Sequence, residues 1–141
     1  MIKVVTDSTA DLPADIAREL GIEILPVYLI WNNQSFRDGV DMNTDEFYQR
    51  LANSEVLPTT SQPTIADFQN VYNKLADQCQ GIVSVHISSK ISGTYNTALQ
   101  AIQSLGGDFP IEVIDSKFNS MGLGLVTIGA ARAAQAGRNL T

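Results

Sequence analysis

Residues 2–20, IKVVTDSTADLPADIAREL, combine the signals of a strand, a turn and a helix. The run Ile2–Thr6 is short, apolar and β-branched, which is typical of a strand that is buried on both faces. Pro13 then suits the first turn of a helix. Similar strands are predicted at 82–87 and 111–114, with helical patterns between the strands. Because strand–helix–strand units form right-handed crossovers, the sequence predicts an α/β fold with a mainly parallel sheet and helices on both faces.

A β-hairpin is predicted after the first helix. The apolar run Ile22–Trp31 is followed by Asn32 and Asn33, and then by the segment Gln34–Arg37. Asparagine tolerates a positive φ, and a two-residue turn with this backbone conformation joins antiparallel strands. We expect this hairpin to lie at an edge of the sheet.

Length and composition indicate a globular protein and exclude several functions. The 141 residues are 44% apolar, which predicts a single α/β domain over residues 1–141 with a substantial core. The net charge of −6 and the lack of a basic cluster argue against nucleic-acid binding. No apolar run approaches the roughly 18 residues of a membrane span, and no signal peptide precedes the first strand, so we expect a cytoplasmic protein. Cys79 is the only cysteine, and the acidic residues are scattered, so no metal site is predicted.

Hydroxyl and carboxyl residues follow each predicted parallel strand. They are Asp7-Ser8-Thr9, Ser88-Ser89 with Ser92-Gly93-Thr94 beyond, and Asp115-Ser116. Parallel strands end at the same edge of a sheet, where ligands bind and helix N-termini present free N–H groups. A further loop, Thr59-Thr60-Ser61, also precedes a helix. The sequence therefore predicts a pocket in which neutral donors hold a small anion, a carboxylate or a phosphate, although helix capping explains each cluster taken alone.

Three functions are compatible with such a pocket. The first is a binding protein that performs no chemistry. The second is a phosphosugar-binding or phosphotransfer domain, in which Ser/Thr-rich helix N-termini hold the phosphate. The third is a hydrolase with Ser92 as its nucleophile. Phosphotransfer of this kind needs a loop histidine or a metal cluster, and hydrolysis needs a base, whereas His86, the only histidine, is interpreted as a structural residue at a strand end.

Four segments together resemble the DegV family of bacterial fatty-acid-binding proteins. They are Val4–Leu12 (VVTDSTADL), Thr59–Thr64 (TTSQPT), Ser88–Tyr95 (SSKISGTY) and Val113–Lys117 (VIDSK), and they occur in the family's order. The resemblance covers essentially the whole chain but only the N-terminal half of a typical member. It implies an α/β domain joined to a C-terminal lipid-binding domain, with one long-chain fatty acid buried between them.

The resemblance also implies a role without catalysis. A family member presents the carboxylate of its fatty acid to a fatty acid kinase, which makes acyl-phosphate for phospholipid synthesis. The fatty acid is a ligand, and no cofactor, metal or catalytic residue is implied. Residue by residue, Thr60 and Ser92 match the family's carboxylate-binding hydroxyls. Ser61, Gly93 and Thr94 would supply nearby polar or backbone contacts.

The remaining family ligands, an arginine and a histidine, would belong to the C-terminal half, and His86 does not replace them. Asp7 and Asp115 match family motifs with no implied ligand role, and we expect them to shape the strand-end loops. We also expect residues 1–141 alone to bind fatty acid weakly or not at all, because half of the implied tunnel is absent.

Overall fold

The computed structural model describes residues 1–140, which form two β-sheets and five α-helices. The strands are β1 (Ile2–Asp7), β2 (Ile22–Leu25), β3 (Tyr28–Trp31), β4 (Gln34–Arg37), β5 (Thr59–Ser61), β6 (Gly81–His86) and β7 (Ile111–Asp115). The helices are α1 (Ala14–Leu20), α2 (Thr44–Ala52), α3 (Ile65–Ala76), α4 (Thr94–Leu105) and α5 (Ser120–Gln135). None of the helices within residues 1–140 has the length and apolar character needed to cross a membrane.

Strands β1, β2, β6 and β7 form a parallel sheet in the order β2-β1-β6-β7. Successive side chains of β1 point to opposite faces, so Val4 packs with Ala17 of α1 and Ala131 of α5. Val5 packs on the other face with Phe68 of α3 and with residues of α4. The predicted mainly parallel sheet with helices on both faces is therefore confirmed.

Helix boundaries follow from local capping. The Asn43 side chain accepts a hydrogen bond from the Glu46 N–H at 2.9 Å, which fixes the start of α2. Thr64 and Asp67 form a reciprocal capping box at the start of α3. Gly21 ends α1 with a φ of 64°, a conformation that glycine adopts without a Cβ penalty. These caps therefore fix where α2 and α3 begin and where α1 ends.

The predicted hairpin is present, but it does not extend the parallel sheet. Asn32 and Asn33 have φ values of 49° and 61°, as a two-residue hairpin turn requires. The apolar run that precedes them is divided at Pro26, because proline has no N–H for a sheet ladder. As a result β3 and β4 belong to a separate antiparallel sheet, in the order β4-β3-β5.

The segment Thr59–Ser61, predicted as a loop, is instead strand β5. It pairs antiparallel with β3, and Leu29 lies opposite Thr60. Three consecutive hydroxyl side chains show no apolar alternation, so the sequence carries no strand signal here, and pairing with the apolar strand β3 decides the conformation. This pairing places Thr60 of the candidate site on a hydrogen-bonded strand.

Candidate functional site

Four of the five predicted site residues line one cavity of about 240 Å³. Thr60 and Ser61 come from β5, and Ser92 and Gly93 come from the segment between β6 and α4. The remaining walls are Thr9, Val27, Gln62, Ile87 and Ile91. The fold thus brings together two motifs that are separated by about thirty residues in the sequence.

Thr60 presents its hydroxyl from the edge of the second sheet. Its side chain is exposed, and within residues 1–140 its hydroxyl makes no hydrogen bond. The neighbouring Ser61 lies opposite Tyr28 in the ladder, and the Tyr28 hydroxyl donates to Asp67 in the first turn of α3 at 2.9 Å. Strand β5 is therefore connected to α3 through β3, which fixes the position of Thr60. The Thr60 hydroxyl is free to bind a ligand.

Ser92 precedes α4 and takes part in its capping. Its backbone N–H donates to the carbonyl of Ser88 at 3.1 Å. Its Oγ accepts a hydrogen bond from the Thr94 N–H at 3.2 Å and lies 2.9 Å from the Thr94 Oγ1. When the Thr94 hydroxyl donates in this pair, the Ser92 proton is available to an acceptor in the cavity. The capping explanation and the binding explanation are therefore compatible for Ser92.

Thr94 itself does not line the cavity. It is completely buried, and its side chain contacts Ser92 rather than the cavity space. Its contribution to a bound ligand would pass through the orientation of the Ser92 hydroxyl. The structure therefore places Thr94 against Ser92 and not at the cavity, so a direct contact between Thr94 and a ligand is not expected.

Gln62 is a site residue that sequence reasoning missed. A Cβ added at Gly93 would lie 2.9 Å from Nε2 and 3.1 Å from Cδ of Gln62, so the amide side chain packs directly over the glycine. Such an approach is one reason for glycine at a position with an ordinary φ. The sequence signal was the pairing of Gln62 with Thr60 in TTSQPT, but nothing in one sequence relates it to Gly93.

The cavity is lined by neutral donors. No lysine or arginine is among its lining residues in the part of the chain that the structure describes. Helix α4 begins beside it, so unpaired N–H groups of its first turn add a positive partial charge. This arrangement suits an anion that is held by hydrogen bonds rather than by ion pairs.

A second cavity of about 350 Å³ adjoins the first and shares with it Thr9, Val27, Thr60 and Ile87. It extends over Leu29, Phe47 and Tyr48, which give it apolar and aromatic walls. Two carboxyl groups, Asp11 and Asp38, stand at its border. Burial and the nearby Asp11 charge raise the pKa of Asp38, and a hydrogen bond with Ser8 opposes this shift. The second cavity therefore combines an apolar wall with polar residues, which also include Thr44, Asn119 and Ser120.

His86 has a structural environment, as interpreted from the sequence. The completely buried ring lies with Nδ1 2.9 Å from Asp7 Oδ2 and Nε2 2.7 Å from Ser84 Oγ. The Tyr72 hydroxyl donates to the same Ser84 Oγ at 2.8 Å. Asp, His and Ser thus occur in series, but Ser84 is also fully buried and inaccessible to a substrate. Because both ring nitrogens are occupied, His86 is not a base for Ser92.

The strand-end carboxylates Asp7 and Asp115 form hydrogen bonds with other residues of the fold. Burial would raise the pKa of Asp7, but hydrogen bonds and charge attraction from His86, with further hydrogen bonds from Thr9 and Ile87, lower it overall. Burial also acts to raise the pKa of Asp115, while hydrogen bonds from Lys117 and Ser89 hold it well below the usual range. Both groups are therefore ionised and internally satisfied. Within residues 1–140, no three His, Cys, Asp or Glu side chains cluster as metal ligands would.

Comparisons with known proteins agree with this architecture. A DegV domain-containing protein of Clostridium perfringens is 40% identical over 141 residues, covering 98% of this chain and 50% of the relative. A solved structure described as fatty acid binding of a DegV family protein from Thermus thermophilus has a TM-score of 0.88 and 34% identity, over 99% of this chain and 49% of that chain. A stearic-acid-binding protein from Eubacterium ventriosum has a TM-score of 0.93 and 30% identity, over 99% of this chain and 50% of that chain.

The chain spans about half the length of these relatives. A family model described as "Uncharacterised protein, DegV family" matches residues 1–141, the whole of the chain. The four sequence motifs lie at the strand ends and at the cavity formed by β5 and the start of α4. By this match the chain belongs to the DegV family.

Proposed function

We propose that this chain is the N-terminal half of a fatty-acid-binding protein and holds the ligand's carboxylate between Thr60 and Ser92. The observation that carries the proposal is that these two hydroxyls, from separate elements, line one cavity, and that this cavity adjoins a second one with an apolar wall. The Thermus and Eubacterium proteins, described as binding fatty acid and stearic acid, share this fold over about half of their length.

The head group would be held by neutral hydrogen-bond donors. The Thr60 hydroxyl is free to donate, and the Ser92 hydroxyl can donate to a carboxylate oxygen while accepting from Thr94. Ser61 and Gly93 line the same cavity and would add polar and backbone contacts. A hydrogen bond to a charged group contributes about 1.5–3 kcal/mol. Two such bonds fix the position of a carboxylate but do not by themselves give tight binding.

The acyl chain would supply most of the affinity. Burying about 14 methylenes at ~0.8 kcal/mol each gives at most ~11 kcal/mol before the cost of association. The apolar side chains of Val27, Leu29, Phe47 and Ile87 offer the first part of such a path. The remainder would come from a C-terminal lipid-binding half, so that the complete protein would enclose the tail and this half would fix the head group.

The protein's role would be presentation rather than catalysis. His86 is not available as a base for Ser92, because its ring contacts Asp7 and Ser84 and both of those side chains are buried. A fatty acid kinase would therefore supply the phosphoryl-transfer chemistry, acting on a carboxylate that this protein holds in place. The acyl-phosphate product would feed phospholipid synthesis, and the complex would work in the cytoplasm.

The direct test uses the complete protein, with this chain followed by the C-terminal half. Organic extraction and mass spectrometry should find one long-chain fatty acid per molecule. Thr60→Val and Ser92→Ala should each weaken palmitate binding about tenfold or more, since each removes one hydrogen bond to a charged group. Thr59→Val is the matched control on the same strand, because Thr59 does not line the cavity. A protein that neither carries nor binds fatty acid, yet is stabilised by phosphate, would favour the phosphosugar alternative.

A further inference from the structure

The segment between β6 and α4, residues 87–93, carries Ser92 and lies between two strand-end carboxylates. Asp7 at the end of β1 accepts a hydrogen bond from the Ile87 N–H at 3.1 Å. Asp115 at the end of β7 accepts hydrogen bonds from the Ser89 N–H at 3.2 Å and from the Ser89 hydroxyl at 2.5 Å. The segment is thus held from both neighbouring strands before it reaches Ser92.

A continuous set of contacts leads from Asp115 to Ser92. Asp115 holds both the N–H and the hydroxyl of Ser89. The adjoining Ser88 carbonyl accepts hydrogen bonds from the Ile91 N–H and the Ser92 N–H, both at 3.1 Å. A movement of the Ser88–Ser89 peptide would therefore move the backbone of Ser92 directly.

Asp115 is well suited to this task. Only 7% of its side chain is exposed, and a hydrogen bond from the Lys117 N–H at 3.0 Å orients the same oxygen that accepts from the Ser89 N–H. Lys117 Nζ donates to the other oxygen, which keeps the group ionised. Hydrogen bonds to an ionised acceptor are stronger than neutral ones, so the hold on Ser89 depends on this charge.

We propose that Asp115 is a positioning residue for the ligand's carboxylate, and that it acts by holding Ser89 and, through the Ser88 carbonyl, the backbone of Ser92. The inference rests on the proposed function, since it assigns a role in placing the head group. Asp115 does not line the cavity, so it would not contact the ligand itself. Its effect on binding is exerted entirely through Ser92.

The test is a double-mutant cycle between Asp115 and Ser92 in the complete protein, read as palmitate affinity. Asp115→Asn alone should weaken binding about 5–30-fold. In a Ser92→Ala background the same substitution should change affinity less than about twofold, because the group through which it acts is gone. Glu112→Gln is the matched control, since it removes the same charge from an exposed position on the same strand and should leave affinity unchanged.

A second readout separates positioning from loss of stability. The carboxyl ¹³C signal of bound [1-¹³C]palmitate should shift in Asp115→Asn and in the milder Ser89→Ala, and should stay at the wild-type position in Glu112→Gln. Ser89→Ala keeps the Asp115–Lys117 contact and removes one hydroxyl, so it serves where Asp115→Asn fails to fold.

The outcomes are distinguishable. The positioning role would be overturned if the double variant lost palmitate affinity by the product of the two single-variant factors. An unshifted carboxyl signal in both Asp115→Asn and Ser89→Ala would overturn it as well. Either result would leave the proposed function intact. Wild-type protein that binds no palmitate would remove the proposed function and this inference together.

Discussion

The buried carboxylate of Asp7 provides the sharpest test of the energetics of the fold. Its Oδ1 accepts hydrogen bonds from the Thr9 N–H and hydroxyl, and its Oδ2 accepts from His86 Nδ1 and the Ile87 N–H. In Asp7→Asn the side-chain oxygen can keep one of these two pairs, and the amide NH₂ cannot accept the other. Two lost bonds to a charged group at about 1.5–3 kcal/mol each give about 3–6 kcal/mol. Losses above about 4–5 kcal/mol are exceptional for a single substitution, so we expect a loss of about 3–5 kcal/mol.

The assay is urea unfolding at pH 7, followed by the fluorescence of the buried Trp31. At a slope of ~2 kcal/mol per molar urea, a loss of ~3–5 kcal/mol lowers the midpoint by ~1.5–2.5 M. Asp108→Asn removes an exposed carboxyl in a loop and should leave the midpoint unchanged. A change in the free energy of unfolding below about 1 kcal/mol for Asp7→Asn would refute the assigned contacts.

The pH dependence of this effect has a definite sign. The pKa of Asp7 is lowered in the folded state from the ordinary value of 3.8, so its charge stabilises the fold above that value. The contribution is lost as the pH falls through the folded pKa. The difference in unfolding free energy between wild type and Asp7→Asn should therefore be fully present at pH 7 and narrow below about pH 4. A difference that remains the same down to pH 2.5 would show that the carboxylate is not the source of the stability.

Two further substitutions test neighbouring contacts. Tyr72→Phe removes the hydroxyl that donates to Ser84 at 2.8 Å, and it should lower the free energy of unfolding by about 0.5–1.5 kcal/mol in urea titration, whereas no change would mean that the bond is not formed in solution. Gly93→Ala should leave the melting temperature nearly unchanged but weaken palmitate binding in the complete protein, because the new Cβ displaces the flexible Gln62 side chain. In a Gln62→Ala background, Gly93→Ala should have no effect on binding; a persistent effect would place the cause elsewhere.

The parallel sheet could be predicted from the sequence because its strands are buried on both faces. Runs such as Ile2–Thr6 are then apolar throughout, and the intervening helices carry their own period and caps. The position of the hairpin was harder to predict from the sequence. Its turn residues were readable, but the separation into a second sheet depends on the break at Pro26 and on the partner strand. Strand β5 was missed because Thr59–Ser61 acquires its conformation from pairing with Tyr28–Ile30.

The sequence predicted which motifs form the candidate site, but it did not predict the contacts between their side chains. Thr60 and Ser92 were named from their motifs, and the structure places both at one cavity. The contact of Gln62 with Gly93 and the role of Thr94 beneath Ser92 arise from tertiary packing. No local pattern relates residues that are brought together only by the packing of two sheets.

The cavity has one wall from each sheet, so its width depends on how the two sheets are placed relative to each other. Thr60 belongs to the antiparallel sheet and Ser92 follows a strand of the parallel sheet, and among residues 1–140 no strand pairing joins the two sheets. One direct link is the hydrogen bond that the Val27 N–H donates to the Ser8 hydroxyl at 3.0 Å. The spacing between the Thr60 and Ser92 hydroxyls is therefore set by how the two sheets meet. We therefore expect a substitution at that junction to change this spacing, and with it the proposed binding of the head group, while both sheets keep their full ladders of hydrogen bonds.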